Sequence, residues 1–552
     1  MTAASQLTAT GPRTTKEETV RTTPPRYSRQ PREAGSAAPG GPGLADTEVP
    51  ALIVKIGRYP LHHGGVAAIR TLGRLGVPVY AITEDSLTPA AVSRYCRGSF
   101  VWPTTGREDP EELVDGLMAI GAKIGRRTLA VPTDEEAAVL LAEHASPLSA
   151  HFLLPDVQPG LPRKLASKQG LYELCREHGV PAPASAFPST PAALASFAGQ
   201  ASFPLVAKNL EAWVRRRAPV VGGTTMLGTE QELLAAAEDW GQEPSVILQE
   251  YIPREHAQDW IVHLYCDAES NCLVEFTGIK LRSWPPHAGM TACARTVANP
   301  ELAAAAARFC KAIGFSGIAD LDWRLDLRDG QYKLLDFNPR AGAQFRLFET
   351  EAGLDVVRAM HLDLTGRPVP ASPQVNGRKL IVENVDPLAR LAYRRRGRAR
   401  PQAGARPERD LTLASRVPAG QAAPSPDQDR AERTELAWIA ADDPVPFLAM
   451  LVRLAGPALG HLSRVWRTRQ VRRRAARTAR AAQTASRDRR PPPGPADLAG
   501  PAPASEGTSR AAGTAAGTAL AASTVSSSEN SAVAGPEIRP AMLAGQRKDD
   551  WS

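Results

Sequence analysis

The sequence predicts an α/β protein, and three observations carry that prediction. From Ala51 onward, short apolar runs alternate with amphipathic ones: "ALIVKI", "GGVAAIRTLGRLG", "VPVYAI", then "RTLAVPTDEEAAVLLAEH". Strand–helix alternation of this kind builds a parallel sheet, with ligands at the carboxyl ends of its strands. Farther along, "IADLDWRLDLRDGQYKLLDFN" alternates apolar and polar residues on both sides of Asp329-Gly330, the pattern of a hairpin with one buried face. The length, 552 residues, exceeds one compact domain and allows a large core.

The elements follow in order. Residues 1–48 are rich in Thr, Pro, Gly and charge, and are expected to be disordered. Residues 49–166 form the N-terminal α/β domain. After its first strand come His62, His63, Gly64 and Gly65, which either receive a substrate anion at a helix N-terminus or make an ordinary turn. The helix closes on Gly76, and "TDEE" reads as a capping box from Thr133 to Glu136. Residues 167–249 begin with a capped helix at Ser167. They continue through "FPLVAKN", a polar loop with Gly222 and Gly223, and the apolar strand "SVILQEYIP". Residues 250–390 hold a long hairpin pair, "DWIVHLYCDAESNCLVEFTGIKLRSWPP", the acidic hairpin, a closing helix "GLDVVRAMHLDLTG" and the short strand "KLIVENVDP". Residues 391–431 read as a linker. Residues 432–486 read as a basic helical region starting at "ELAWIAADDP" and bent at Pro457, and 487–552 as a low-complexity, disordered tail.

Loop length sets the register of the acidic hairpin. A two-residue loop would pair Trp323 with Asp336. A three-residue loop, Arg328 to Gly330 with the glycine left-handed, pairs Asp322 with Asp336 and Asp320 with Asn338. Leu321, Trp323, Leu335 and Phe337 then share the other face. The second register keeps the faces separate, which a one-residue slip does not. Opposed carboxylates need a counter-ion, and all-oxygen ligands suit a hard cation such as Mg²⁺. A solvated acidic face is the alternative.

Charge is uneven. The net is +8, yet residues 391–490 alone carry 22 arginines, no lysine and 9 acids. The run Arg464 to Arg480 holds eight arginines and no acid. It is either a solvated helix face or a contact for an anionic membrane surface. Only Trp466 interrupts it with an aromatic ring, so no specific nucleic acid is expected. Six cysteines without a CxxC pair, and no secretory segment, predict free thiols in a reducing, cytoplasmic compartment. No apolar run reaches 18 residues. GxxxxGK[ST], HExxH and GxSxG motifs are all lacking, which excludes P-loop, zincin and serine-hydrolase readings.

What remains is a dispersed set of lysines, a glycine loop, a Gln-Glu strand end and the acidic hairpin. In this order ("SK" before a helix, "FPLVAK", the glycine loop, "LQEYI", then "LLDFNPRAG") the chain resembles the ATP-grasp ligases over roughly 51–370. Within them it is most similar to the predicted ATP-dependent carboxylate–amine ligases near D-aspartate ligase. The resemblance implies a three-lobed fold: an N-terminal α/β lobe, a mobile lid and a C-terminal metal-binding lobe. It implies ATP and two Mg²⁺ ions, with small carboxylate and amine substrates joined through an acyl phosphate. Lys168 and Lys208 would contact phosphates, and the cofactor-binding loop with Gly222 and Gly223 would order over them. Gln249 to Ile252, with Glu250 at the centre, would form the adenine hinge, and Asp259 would lie near the ribose. Lys280 would approach the γ-phosphate. Asp322, Asp336 and Asn338 would ligate metal, and Arg340 would steady the acyl phosphate. The chain departs from the commoner pattern in having Asp rather than Glu at both acidic metal positions, and Arg254 where a glycine usually follows the hinge. A kinase, a carboxylase-like enzyme and a non-catalytic nucleotide-binding scaffold with a basic tail remain compatible with the same residues.

Overall fold

The computed structural model describes residues 24–29, 43–210, 221, 224–242, 244–286, 289–398 and 433–455. Gly222, Gly223, most of the polar loop before them, the Arg464–Arg480 run and the 487–552 tail lie outside the described residues. Up to Arg453 the described residues belong to one unit, built on three sheets.

The first sheet contains β1 (Arg26–Arg29), β2 (Ala51–Val54), β3 (Val79–Thr83), β4 (Cys96–Val101), β5 (Thr128–Pro132) and β6 (Phe152–Leu153), in the order β1-β4-β3-β2-β5-β6. The strands from β2 to β6 pair in parallel. All four residues of β2 are buried, as a strand covered on both faces requires. The expectation of disorder over 1–48 is corrected at two points. Residues of β1 pair antiparallel with the edge strand β4, and the Tyr27 ring lies 5.2 Å from that of Phe100. Asp46 is ion-paired to Arg367 at 2.9 Å. Strand pairing and one ring contact, which composition averages away, place this segment. The helix Glu135–Glu143 is capped by Asp134 rather than Thr133. One Asp134 oxygen accepts from Ala137 N and the other from Ile56 and Gly57 N, while the Thr133 hydroxyl turns back to Val54 O.

The second sheet has the order β7-β10-β8-β9, from β7 (Ser185–Ala186), β8 (Leu205–Asn209), β9 (Thr225–Leu227) and β10 (Val246–Glu250). Its small core includes Leu194, Leu205, Leu233, Trp240 and Leu248. The helix Lys168–Glu177, grouped with this lobe by the 167–249 boundary, packs elsewhere. Leu171, Leu174 and Cys175 are buried with Trp260, Leu321 and Phe337 of the third sheet. The core of the second sheet therefore excludes this helix.

The third sheet comprises β11 (Ala257–Cys266), β12 (Cys272–Trp284), β13 (Met290–Thr296), β14 (Gly317–Asp326), β15 (Gln331–Asn338), β16 (Lys379–Ile381) and β17 (Thr434–Leu436), in the order β15-β14-β11-β12-β13-β16-β17. In the acidic hairpin, Asp320 faces Asn338 and Asp322 faces Asp336, as the chosen register predicts. The route differs. Asp326 pairs with Gln331 across a four-residue loop, 327–330, and a bulge between Asp322 and Trp323 restores the register. Gly330 is left-handed, with φ 74°. The bulge makes Leu335 the extra residue, half-buried, and Leu334 takes its place in the core opposite Trp323.

The helix Asp386–Arg398 runs past the linker boundary at 390, and the segment read as helical from Glu435 is not. β17 pairs in parallel with β16, Trp438 is wholly buried, and a helix starts only at 445, with Pro446 in its first turn. Two aspartates hold the stretch between. Asp443 accepts hydrogen bonds from Arg70, Ser93 and the Arg94 N–H, and Asp442 from Arg74 and Tyr95. The segment straps the third sheet to the first.

Candidate active site

Strand alternation on β14 and β15 points Asp320, Asp322, Asp336 and Asn338 away from the core that holds Leu321, Trp323, Leu334 and Phe337. Two ammonium groups sit on this acidic face. Lys168 Nζ lies 2.6 Å from Asp336 Oδ1, and Lys280 Nζ lies 2.7 Å from Asp322 Oδ2. Burial opposes ionisation of Asp336, yet Lys168, with Lys208 and Arg340 beyond it, holds its carboxyl below the usual range. Burial pushes the Asp322 carboxyl up, with Asp320 and Asp336 adding to the rise and Lys280 opposing it. Asp322 Oδ1 is buried without a hydrogen-bond partner among the described residues. Asn338 donates its amide to the Asp320 carbonyl at 3.1 Å, which commits its nitrogen and leaves its oxygen as the other end.

The second sheet contributes from β8 and β10. Lys208 is half-buried, reaches Gln249 Oε1 at 3.4 Å, and is drawn down to about 8 by burial and by Lys168. Asn209 binds both backbone groups of Val221, so the residue before Gly222 sits at the end of β8, next to Lys208. At the hinge, the Glu250 N–H donates to Ala184 O and the Tyr251 N–H to Pro204 O. The Glu250 carboxylate pairs with Arg328, and Lys333 lies 3.8 Å from it. Ile252 is buried beside them. Arg254, in place of the usual glycine, sets its guanidinium over the Tyr393 ring at 5.4 Å. Asp259 is held by Arg324 at 2.7 Å.

Arg340 is not poised in open space. It is held between Glu135, at 2.7 Å, and Asp320, at 3.0 Å. His263 Nε2 approaches Asp320 to 2.8 Å, within ion-pair distance but not angled for a hydrogen bond. Burial works against the Asp320 charge, and His263, Arg340 and Lys280 together keep its carboxyl far below the usual range. The loop after β15 reaches this position because two glycines let it. A Cβ on Gly342 would meet Asp320 Oδ2 at 2.4 Å, and one on Gly64 would meet Ala343 Cα at 2.8 Å. Gly64 is thus explained by close packing. At the same helix start, His62 Nδ1 accepts the Gly65 N–H at 3.0 Å, which uses one donor of the anion site considered from sequence. A small cleft opens there, lined by Lys55, Tyr59, His62, Gly65, Thr88 and Thr133 at the carboxyl ends of the parallel strands.

Lys168, Lys208, Lys280, Asp322, Asp336, Asn338 and Arg340 therefore converge; Gln249 joins them through Lys208, and Glu250 lies at the hairpin's turn end with Arg328 and Lys333. Sequence reasoning missed Glu135, Arg324 and His263, and saw Asp320 only as the partner of Asn338. The period-2 face shared by Asp320 and Asp322 was a usable signal. A lone histidine in the apolar run of β11 offered none.

No protein-family model matches the chain. Over 292 residues it is 24% identical to the D-aspartate ligase of Enterococcus faecium (strain Aus0004), covering 50% of this chain and 68% of that protein. The chain is thus similar to a D-aspartate ligase, the relative that the sequence resemblance names. Among solved structures, the L-amino acid ligase from Bacillus licheniformis superposes with a TM-score of 0.43 at 18% identity, over 57% of this chain and 73% of that one. N5-carboxyaminoimidazole synthetase from Staphylococcus aureus gives 0.45 at 11%, over 60% and 81%.

Proposed function

We propose that this chain is an ATP-dependent ligase that joins a carboxylate to an amine as an amide. The observation that carries the reading is the acidic face: opposed Asp322 and Asp336, each neutralised by one lysine, with Asp322 Oδ1 left without a partner among the described residues. A buried carboxylate oxygen without a donor is costly unless something fills its place. This oxygen-only donor set fits Mg²⁺. Two such ions, held by Asp322, Asp336 and Asn338, would neutralise charge on the phosphoryl group in flight. The lysines that now sit on the carboxylates are then free for phosphate oxygens. Lys168 and Lys208 hold the nucleotide's phosphates, Lys280 the transferring one, and Gly222 and Gly223 cover them. Gln249 to Ile252 take the adenine, and Asp259 the ribose.

A substrate carboxylate oxygen attacks the γ-phosphorus and ADP leaves. The amine then attacks the acyl carbon, loses a proton, and phosphate departs. Arg340 lies beside the cleft at Lys55 and His62, where we place the small carboxylate substrate, and it stabilises the anionic acyl phosphate once it turns from Glu135. The decisive experiment incubates purified protein with ATP, Mg²⁺ and paired sets of amino acids and small acids, reading phosphate release and new amide mass. Phosphate release without amide in any pairing, or a phosphorylated or carboxylated product, would replace ligation by the kinase or carboxylase-like reading. No helix among the described residues is long and apolar enough to cross a membrane. ATP use and free thiols fit a cytoplasmic setting, with peripheral attachment through Arg464–Arg480.

A further inference from the structure

Three thiols from three elements meet in the third sheet, away from the acidic face. Cys266 ends β11, Cys272 begins β12, and Cys310 lies on the helix Pro300–Ala312. Their sulfurs all fall within 4.8 Å of one another. Cys266 and Cys310 are wholly buried among Leu264, Leu302 and Phe309, while Cys272 is half-buried. Three buried thiols are, in the plainest case, small apolar side chains. Two observations go beyond that.

The first is register. Cys266 pairs with Cys272 across the antiparallel strands, just past an irregularity in register at Tyr265, and their Sγ atoms are 2.7 Å apart. Paired residues of antiparallel strands have Cα atoms roughly 4.5–5.5 Å apart, inside the range of about 4.4–6.8 Å that a disulfide spans. The turn between them is fixed by Asp267, whose N–H donates to Asn271 O and whose carboxylate accepts the Asn271 N–H, with Ser270 left-handed at φ 62°. The second is reactivity. Hydrogen bonding with Cys266 and then Cys310 holds the Cys272 thiol below its usual range, whereas burial pushes Cys310 well up. The most accessible sulfur of the three is thus the one drawn toward the thiolate, the nucleophilic form.

We propose that Cys266 and Cys272 form a reversible disulfide, with a hydroperoxide as the oxidant. The Cys272 thiolate attacks one peroxide oxygen. The O–O bond breaks, and the leaving oxygen takes a proton to become water, or an alcohol from an organic peroxide. Cys272 is left as a sulfenic acid. The Cys266 sulfur then attacks the Cys272 sulfur, the S–O bond breaks, and the departing hydroxide takes the Cys266 proton as a second water. The two sulfurs together lose the electron pair that the peroxide gains. A small thiol reverses the bond by exchange. A three-thiolate site for a soft metal uses the same residues, but two sulfurs in direct contact leave no room for an ion between them.

The test uses the full chain, reduced, freed of reductant and treated with hydrogen peroxide, then alkylated under denaturing conditions. Intact mass should show two of the six cysteines protected and two hydrogens lost, and non-reducing peptide maps should join Cys266 to Cys272. Cys310→Ser should still form the bond. Cys272→Ser should abolish it, and Cys266→Ser should stop at a sulfenic acid on Cys272 that dimedone traps. Three results would each overturn the proposal: six alkylatable thiols after peroxide, a bridge mapped to another pair, or stoichiometric zinc in the purified protein that shields these thiols until a chelator removes it.

Discussion

At the scale of single residues, the acidic face sets the sharpest expectations. Asp336 is held by Lys168 and faces Asp322. Asp336→Ala should leave circular dichroism and melting largely unchanged while turnover falls by roughly 10²–10³-fold, the loss typical of removing one group that stabilises transition-state charge. Wild-type ATP turnover in that variant would remove Asp336 from the site. Lys208 gives a pH signature. Its ammonium is drawn down to about 8. The charge we propose to bind phosphate is present below that value and lost above it. Nucleotide affinity, measured by calorimetry, should therefore weaken above about pH 8, by at most about tenfold per pH unit for one proton. Lys208→Arg remains charged and should flatten the limb. Folding runs the other way. An unfolded lysine titrates near about 10.4, so between the two values the unfolded chain holds more protons, and this group's contribution to stability rises with pH.

At the scale of elements, the strap at 433–443 matters most. Arg70 and Asp443 are both buried, and their pair is reinforced by Ser93 and the Arg94 N–H. Asp443→Ala leaves a guanidinium buried without its charge partner, which costs about 3–5 kcal/mol. Urea unfolding should show that drop, while an exposed change such as Leu448→Ala on the following helix should stay within about 0.5 kcal/mol. Equal stability of Asp443→Ala and wild type would mean the strap is not held by this pair. The hairpin teaches a related point. Its facing acids were legible from period-2 alternation, but the bulge was not, because a four-residue loop with a bulge and a three-residue loop without one produce the same pairing at Asp322 and Asp336. Only Leu334, buried where Leu335 was expected, tells them apart.

At the scale of the whole molecule, the second sheet has its own small core and reaches the site through Lys208 and Gln249. Hydrogen exchange from β8 through β9, across the glycine segment, should slow when ATP and Mg²⁺ are added, as a closing lid requires. Unchanged exchange at saturating nucleotide would count against closure. The basic run should be separable from catalysis. Protein cut after Trp466 should lose low-salt pelleting with anionic vesicles while keeping its turnover, each arginine near the membrane contributing on the order of 1 kcal/mol. Equal pelleting of both forms would remove the membrane role of this run.

The sequence by itself determined the class of fold and the acidic face, because each is written in local periodicity. The parallel strands needed only apolar runs between helices, and Asp322 and Asp336 needed only alternation. Tertiary structure alone decided what long-range contact supplies. It placed Glu135 beside Arg340, 205 residues apart in the chain, and His263 beside Asp320. It moved the helix Lys168–Glu177 out of the lid and into the core under the acidic hairpin. It turned "ELAWIAADDP" from a helix into a strap, since Asp442 and Asp443 find their arginines only when the third sheet lies against the first. Charge pairing and close packing act through space, and no local pattern records which distant residue will complete them.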